Sequence, residues 1–168
     1  MNEANINENI HSIIEYWFGD DAVDVVEGRD SLWFGGGDEI DEKIINRFPT
    51  LVHSAAQQQL DEWLSTAKGS LALILLLDQF TRNIYRSGAE AFASDYLART
   101  ICYQGLAQDF DQQLSSSERV FYYLPLEHSE SITDQELSVQ LYKKLASEVD
   151  TKYGGRHKKM FAFYIEYA

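Results

Sequence analysis

A run of seven aliphatic residues from Leu71 to Leu77 constrains the fold more than any other feature of the sequence. Either a buried strand or a buried helix could contain such a run. Leucine dominates the run and β-branched residues are nearly absent from it, which favours a helix. Because the run is far shorter than the ~20 residues that cross a bilayer, it predicts a helix in a protein core. We expect this helix to end near Phe80.

Apolar residues recur at spacings of three and four along most of the chain, which is typical of amphipathic helices. Only two prolines occur, Pro49 and Pro125, so long helices are permitted. We therefore predict an all-α protein of about eight helices with no sheet, forming a single domain over residues 1–168. Short helices joined by short turns favour helix hairpins stacked as a tetratricopeptide-like solenoid or bundle, although no fixed repeat period is present.

Local signals predict where the helices begin and end. The main predicted helices cover residues 7–18, 38–48, 71–80, 89–104 and 133–149, and residues 83–88 are predicted to be a loop. Asp38 is expected to cap the second helix, Pro49 to interrupt it, and Pro125 to begin a short helix of its own. Capping boxes are predicted at Ser115–Glu118, where a further helix begins, and at Thr133–Glu136, where the helix over residues 133–149 begins.

A last helix is predicted after Gly154 and Gly155, and it is rich in aromatic residues. Four rings cannot share one face of one helix, so we expect some of them to contact another subunit or a segment beyond the chain. An apolar patch of this kind typically marks an interaction surface, here one for self-association. The four residues are Phe161, Phe163, Tyr164 and Tyr167.

Charge, cysteine content and ligand spacing exclude several kinds of partner and site. The formal net charge of −13 argues against nucleic acid and anionic membranes as partners. The single cysteine, Cys102, excludes an internal disulfide framework and is expected to be a core residue. No secretory signal is visible at the N-terminus, which favours a cytoplasmic location. Glu8 and His11 have the spacing of a di-metal motif, but one copy supplies too few ligands, so we predict no metal and no cofactor.

The first candidate segment for function follows the aliphatic run directly. Asp78 and Arg82 are four residues apart and can pair on one helix face. In one interpretation the segment is a buried structural clasp, in which Gln79 and Asn83 satisfy backbone groups. In the other, Arg82 and Arg86 line a site for a small anionic ligand or a carboxylate. The composition of the segment leaves both open, and the clasp is favoured because buried ion pairs are common structural devices.

The second candidate segment contains Glu127, His128 and Glu130. Glu127 and Glu130 are three residues apart and can face the same direction, and a carboxylate–histidine cluster could transfer protons or bind a metal. The spacing does not match a helical pair of metal ligands. The charges of this segment complement those of Arg82 and Arg86, and desolvated ions require partners. We therefore predict that the two segments meet, with at least one Arg–Glu or Asp78–Arg82 contact.

The two segments also carry a resemblance to a known family. The stretches LALILLLDQFTRNIYR (residues 71–86) and YLPLEHSE (residues 123–130) resemble the most recognisable motifs of the bacterial domain of unknown function 924. The resemblance covers nearly the whole chain and implies a tetratricopeptide-like all-helical fold and no particular activity. Trp63, Phe92, Asp95 and Ala98 fit it as well.

The chain departs from the family pattern at two places. Thr81 stands where the family usually has proline, which puts the geometry after Phe80 in doubt. The family also continues past Ala168 with a segment rich in His, Arg, Phe and Asn, and we expect this chain to lack that segment. If the family has a polar site, the chain is then expected to carry only part of it.

Two functions from different classes follow from these observations. The favoured one is a helical scaffold that binds a protein or peptide partner in a concave groove. The alternative is a small-ligand-binding protein or enzyme that uses the polar residues of both segments. Its candidate residues are Asp78, Gln79, Arg82, Asn83, Arg86, Glu127, His128 and Glu130.

Overall fold

The computed structural model describes residues 2–19, 23–35, 37–86, 88–155 and 157. The predicted all-α class is confirmed, since these residues contain helices and no strand. Short 3₁₀ or π turns occupy Ser31–Gly35, Asp61–Ser65, Ala89–Ala91 and Asp111–Gln113. The α-helices are α1 Glu3–Phe18, α2 Asp38–Arg47, α3 Pro49–Ala56, α4 Ala67–Ile74, α5 Thr81–Ile84, α6 Asp95–Leu106, α7 Ser116–Glu127 and α8 Ile132–Tyr153.

The aliphatic run forms the centre of the molecule, as predicted. Thr66 caps the first turn of α4 by accepting a hydrogen bond from the Gly69 amide, and every residue of Leu71–Leu77 is buried. A π-helical segment, Leu75–Phe80, continues α4 directly into α5. The helical run therefore ends at Ile84 and not near Phe80, and Asn83 lies on a helix where a loop was predicted. Such π segments widen a helix locally and are frequent at functional sites.

Aromatic rings fill the space between α1 and the central helical run. Trp17 packs against Phe80 with ring centroids 5.4 Å apart, and against Phe121 of α7 at 5.6 Å. Phe48 follows α2 and packs on Phe80 at 5.0 Å. These buried rings hold the N-terminal helices on the same core as α7 and so position the polar end of the central run.

Helices α7 and α8 form an antiparallel hairpin. The Tyr142 hydroxyl donates to the Val120 carbonyl at 3.0 Å, and the Arg119 guanidinium donates to Glu148, which lies further along α8, at 2.5 Å. The predicted pairing of helices is thus present here. The stacking of such hairpins into a tetratricopeptide-like solenoid stays a prediction.

Two helix starts and one proline differ from the predictions. Helix α1 begins at Glu3, earlier than predicted, because the Asn2 side chain accepts from the Asn5 amide. The capping box at Ser115 is confirmed. The one predicted at Thr133 is wrong, since α8 already begins at Ile132. Pro125 lies inside α7, near its end, where the missing amide interrupts one helical hydrogen bond only.

Other helix ends show why tertiary contacts override local signals. Residues 89–104 were predicted as one helix, but α6 begins at Asp95 after a short 3₁₀ turn. Gly105, expected to end this helix, lies within its last turn, where a glycine is required because a Cβ would collide with the Tyr122 hydroxyl. Helix α2 begins at Asp38 as predicted, but Gly37 occupies the capping position. Gly154 ends α8 in the left-handed conformation, with φ 64°.

Some predictions concern residues that the structure does not describe. The aromatic residues Phe161, Phe163, Tyr164 and Tyr167 lie outside the described residues, so their predicted contacts stay predictions. Among the described helices, none has the length and apolar character needed to cross a bilayer. Cys102 is fully buried, as expected for a core residue, and burial raises the pKa of its thiol.

Candidate functional site

The two predicted segments meet around the carboxylate of Asp78. This residue lies on the π-helical segment and is fully buried. Its Oδ1 is 2.8 Å from Nδ1 of His128, at the end of α7, and 3.2 Å from Nη1 of Arg82. Its Oδ2 accepts from the Gln79 side-chain amide at 2.5 Å. The predicted meeting of the segments and the Asp78–Arg82 contact are confirmed. We call the group formed by Asp78, Gln79, Arg82, His128 and Asp95 the Asp78 cluster.

Arg82 is held by a second carboxylate that the sequence did not identify as a site residue. Its Nη1 and Nη2 donate to the two carboxylate oxygens of Asp95 on α6, at 3.1 and 3.0 Å. Arg82 also donates to the backbone carbonyl of Asp78 and lies against the ring of Phe92, 5.2 Å from its centroid. Both terminal nitrogens of this guanidinium are therefore engaged. Only the family resemblance pointed to Asp95, since its partner is thirteen residues away in sequence.

The protonation of His128 follows from its partners. Burial raises the pKa of Asp78, but the charge of His128 and its hydrogen bond, together with the charge of Arg82, outweigh burial, so the net shift is downward. Burial lowers the pKa of His128, yet the charge of Asp78 and its hydrogen bond outweigh burial and raise the pKa above its ordinary value. Asp78 is therefore an ionised acceptor, and Nδ1 of His128 carries a proton.

The tautomer of His128 is thereby fixed. With Nδ1 donating to Asp78, the contact of 3.2 Å between Nδ1 and Nη2 of Arg82 joins two donors and is no hydrogen bond. When the ring is neutral, its lone pair is on Nε2. The side chain of His128 is 28% exposed, whereas that of Asp78 is 0% exposed. The arrangement places an oriented imidazole at the border between core and solvent.

Glu127 lies beside this cluster with an unusual environment. Its Oε2 is buried and, within the described part of the chain, has no hydrogen-bond partner. Burial raises the pKa of Glu127 and the charge of Asp78 adds to this, although His128 and the Tyr142 hydroxyl act in the opposite direction. A carboxyl group in this position retains its proton to higher pH than an exposed one.

Asn83 and Arg86 belong to a different cluster. Both donate to Oδ1 of Asp41 on α2, at 2.9 Å from Asn83 Nδ2 and 2.7 Å from Arg86 Nη2. Arg86 Nε is also 2.5 Å from Asp41 Oδ2. The prediction that Gln79 and Asn83 satisfy backbone groups is wrong, because both amides are bonded to carboxylates instead. Glu130 is exposed and joins neither cluster.

Acidic, histidine and cysteine side chains of the described residues do not gather in groups of three or more that could hold a metal ion. Of the predicted motif on α1, His11 lies 3.9 Å from Glu15, and both side chains are more than 60% exposed. The Asp78 cluster therefore offers proton-transfer and hydrogen-bonding groups rather than a set of metal ligands.

Comparisons with known proteins identify the family of the chain but indicate no activity. No curated protein matches it. A solved structure of a protein of unknown function from Agrobacterium tumefaciens is 29% identical, covers 98% of this chain and 83% of its own, and gives a TM-score of 0.67. The family described as bacterial protein of unknown function (DUF924) matches residues 13–167. Because this match spans almost the entire sequence, the chain belongs to the DUF924 family.

Proposed function

We propose that the protein binds a small polar molecule at the Asp78 cluster and exchanges a proton with it through His128. The observation that carries this proposal is the oriented histidine: Nδ1 is 2.8 Å from a fully buried carboxylate, while the ring remains partly exposed. Since Nδ1 faces the buried Asp78, Nε2 is the ring nitrogen available to a ligand. An imidazole held in this way by a carboxylate is the usual arrangement of a general acid or base.

Each neighbour of His128 supports a distinct part of this role. Asp78 fixes the tautomer and stabilises the imidazolium that forms when Nε2 accepts a proton. Arg82 is held by two carboxylates and positions Asp78 instead of meeting the ligand. Burial raises the pKa of Glu127, so this neighbour holds its proton to higher pH than an exposed carboxyl and can exchange it with the site.

The charge of the cluster indicates the class of ligand. Asp78 and Asp95 carry two negative charges, and Arg82 supplies one fixed positive charge. The sum is −1 with His128 neutral and zero with it charged. An anion, which the two arginines suggested in the sequence, gains little there, because both guanidiniums already bind carboxylates. An uncharged or cationic molecule with a hydrogen-bonding group fits better, and the exposed Phe92 ring offers it an apolar surface.

A thermal-shift screen of small polar metabolites tests this function, because a ligand that binds the folded state raises its melting temperature. The screen is run on the natural protein, on His128→Gln and on His53→Gln, which changes an exposed histidine of α3. We expect hits that stabilise the natural protein and His53→Gln but not His128→Gln. If every hit stabilises all three proteins equally, the site is not at His128.

A scaffold that binds a peptide is the second candidate, and one pocket favours it. A cavity of about 150 Å³ lies between the end of α3, the central helical run and α6. Leu60, Leu73, Leu77 and Leu97 line it, with Thr100 among the other lining residues. Apolar cavities of about this volume can hold a single ring-sized group, so this one suits an apolar anchor residue of a peptide.

Peptides selected by display on the natural protein would test the scaffold. Thr100 is exposed and its hydroxyl donates to the Tyr96 carbonyl at 2.8 Å, so Thr100→Phe should close the pocket without disturbing the core. Thr151→Phe is a matched control, because Thr151 is exposed and makes the same bond, to Ser147, at 2.8 Å. Loss of binding in Thr100→Phe alone would support the scaffold, and binding by both variants would contradict it.

A further inference from the structure

A second concave surface is lined by several positively charged side chains, although the protein as a whole is acidic. Its residues are distant in sequence from those of the Asp78 cluster. It is a groove of about 800 Å³ between α1, residues 27–32 and α2. Three cationic side chains line it, those of Arg29, Lys43 and Arg47. The chain as a whole has a formal net charge of −13, so the clustering of three cationic side chains in one groove is unexpected. We call this surface the Tyr16 groove.

Tyr16 supplies the most informative group of this groove. Its hydroxyl is buried and has no hydrogen-bond partner among the residues that the structure describes. Burial and, to a smaller extent, the charge of Asp41 raise the pKa of Tyr16, while the charges of Lys43, Arg47 and Arg29 act to lower it. The hydroxyl thus stays protonated at neutral pH, and it lies within the electrostatic reach of three cations. Among the donors of this groove, the Tyr16 hydroxyl is the one that lacks an acceptor within the described residues.

The two arginines are oriented without being neutralised. Arg47 lies over the rings of Tyr16 and Phe48, 4.9 Å from each centroid, and its hydrogen bond to the Ser12 hydroxyl is long, at 3.3 Å. Arg29 donates to the Tyr16 carbonyl at 2.8 Å. Within the described part of the chain, neither guanidinium forms an ion pair with a carboxylate. Stacking on a ring leaves the N–H edge of a guanidinium free to bind an anion.

The acidic residues of the groove lie at its rim. Glu15 is 64% exposed and lies 3.9 Å from His11, and Glu27 is 71% exposed and lies 3.2 Å from His157. Lys43 pairs with Glu39 at 2.7 Å, but both side chains are largely exposed, and such pairs exchange readily with other anions. These rim carboxylates therefore do not neutralise the inner part of the groove. Asp41, whose charge also reaches Tyr16, is already bound by Arg86 and Asn83.

We propose that the Tyr16 groove binds an organic oxyanion, that is, a small molecule carrying a phosphate or carboxylate group. The oxygens of this group would accept hydrogen bonds from Tyr16, Arg47 and Lys43. Leu32 and Ile40 line the same groove and supply an apolar surface for the organic part. The volume is in the range of small-metabolite sites. Lys43 and Arg47 are exposed and can change rotamer to admit the anion to the shielded hydroxyl.

Isothermal titration at constant ionic strength tests the proposal directly, with inorganic phosphate, glucose 6-phosphate and citrate as probes. Melting temperature alone is unsuitable, because phosphate stabilises folded proteins non-specifically. The variants are Lys43→Gln, Arg47→Gln and Tyr16→Phe. Lys143→Gln, at an exposed site of α8, is the matched control. Comparison of the three probes distinguishes a phosphate group from carboxylates.

We expect at least one probe to bind the natural protein and Lys143→Gln equally. Loss of a charge-assisted hydrogen bond should weaken binding by about tenfold in Lys43→Gln and in Arg47→Gln. Tyr16→Phe should weaken it less, because a neutral donor is removed. Lys43→Gln changes an exposed side chain and keeps the fold, so its result stands even if Arg47→Gln is unstable. Failure of all three probes to bind, or equal binding by Lys43→Gln, would overturn the proposal.

Discussion

The Asp78 cluster and the Tyr16 groove both contain an arginine packed on an aromatic ring, but the two arginines differ in whether carboxylates bind them. Each holds a guanidinium against an aromatic ring, Arg82 on Phe92 at 5.2 Å and Arg47 on Tyr16 at 4.9 Å. In the Asp78 cluster two carboxylates neutralise the arginine. In the Tyr16 groove no carboxylate of the described residues does so. The groups that surround an arginine, and not the arginine itself, therefore determine whether it is a structural or a binding group.

The difference follows from the energy of burial. Asp78 is an ionised group with no exposed surface, and an unpaired charge in such a place is too unfavourable to persist. Its partners must therefore be supplied by the chain itself. Tyr16 presents a neutral hydroxyl, for which the lack of a partner is unfavourable by only about 1–3 kcal/mol. A fold can tolerate this at a position where a ligand later supplies the acceptor.

The largest expected effect is that of Asp78→Asn. An amide keeps the shape of the side chain but removes the charge that holds His128 and Arg82. Breaking a buried ion pair from one side typically lowers the free energy of unfolding by about 3–5 kcal/mol. Urea denaturation of this variant, and of Glu136→Gln as an exposed carboxylate-to-amide control, measures the loss. A loss below about 1 kcal/mol would mean that the cluster is hydrated and not a buried pair.

Arg82→Lys should have the next largest effect. A lysine cannot reproduce the paired bonds that Nη1 and Nη2 make to Asp95. Loss of one charged hydrogen bond lowers the free energy of unfolding by about 1.5–3 kcal/mol. Arg86→Lys is the comparison, because Arg86 also binds a carboxylate but is 51% exposed, so its loss should be much smaller. Equal losses in the two variants would contradict the distinction between the clusters.

The local parts of this architecture could be predicted from the sequence. The spacing of four between Asp78 and Arg82 predicted their contact, and Ser115 with Glu118 predicted a capping box. Both depend on residues within one helical turn, where spacing alone sets the distance. The requirement that buried charges be paired predicted that the segments containing Asp78 and His128 meet.

The long-range partners could not be predicted in this way. Asp41 binds Arg86 from 45 residues away, and Asp95 reaches Arg82 from another helix. The Tyr16 groove likewise depends on how α1 and α2 pack, since Tyr16 is brought to Lys43 and Arg47 by tertiary structure. The helix end at Ile84 and the helical position of Gly105 were missed for the same reason. Their local signals were overridden by continuous packing of the central run and by contact with Tyr122.

A pH dependence should distinguish His128 from the other histidines. The pKa of His128 is raised in the folded protein, so its contribution to stability is fully present below its ordinary pKa of 6.5. The contribution is lost as the pH rises through the folded pKa. The free energy of unfolding should therefore fall above about pH 6.5 in the natural protein, but not in His128→Gln.

NMR titration of the histidine rings supplies the independent measurement for this prediction. Each pH unit by which His128 titrates above the unfolded value corresponds to about 1.4 kcal/mol of stability. The ring should show the Nδ1–H tautomer when neutral, as its bond to Asp78 requires. A measured pKa of His128 at or below that of exposed His53 would show that the effect of burial on this pKa outweighs that of the Asp78 carboxylate.

The smallest expected effect is that of Tyr16→Phe on stability, and it tests the contrast between the two regions most directly. The substitution removes a buried hydroxyl that no described residue bonds, and it leaves the ring that contacts Phe48 and Phe80. Without ligand, the free energy of unfolding should change by less than about 0.5 kcal/mol or should rise. Tyr123→Phe is the matched control, because its hydroxyl donates to Asp111 at 2.7 Å, and its removal should lower stability by about 1–3 kcal/mol. A loss in Tyr16→Phe as large as in Tyr123→Phe would mean that the Tyr16 hydroxyl already has a partner in the folded chain, and the groove would then lack the free donor on which its proposed anion binding depends.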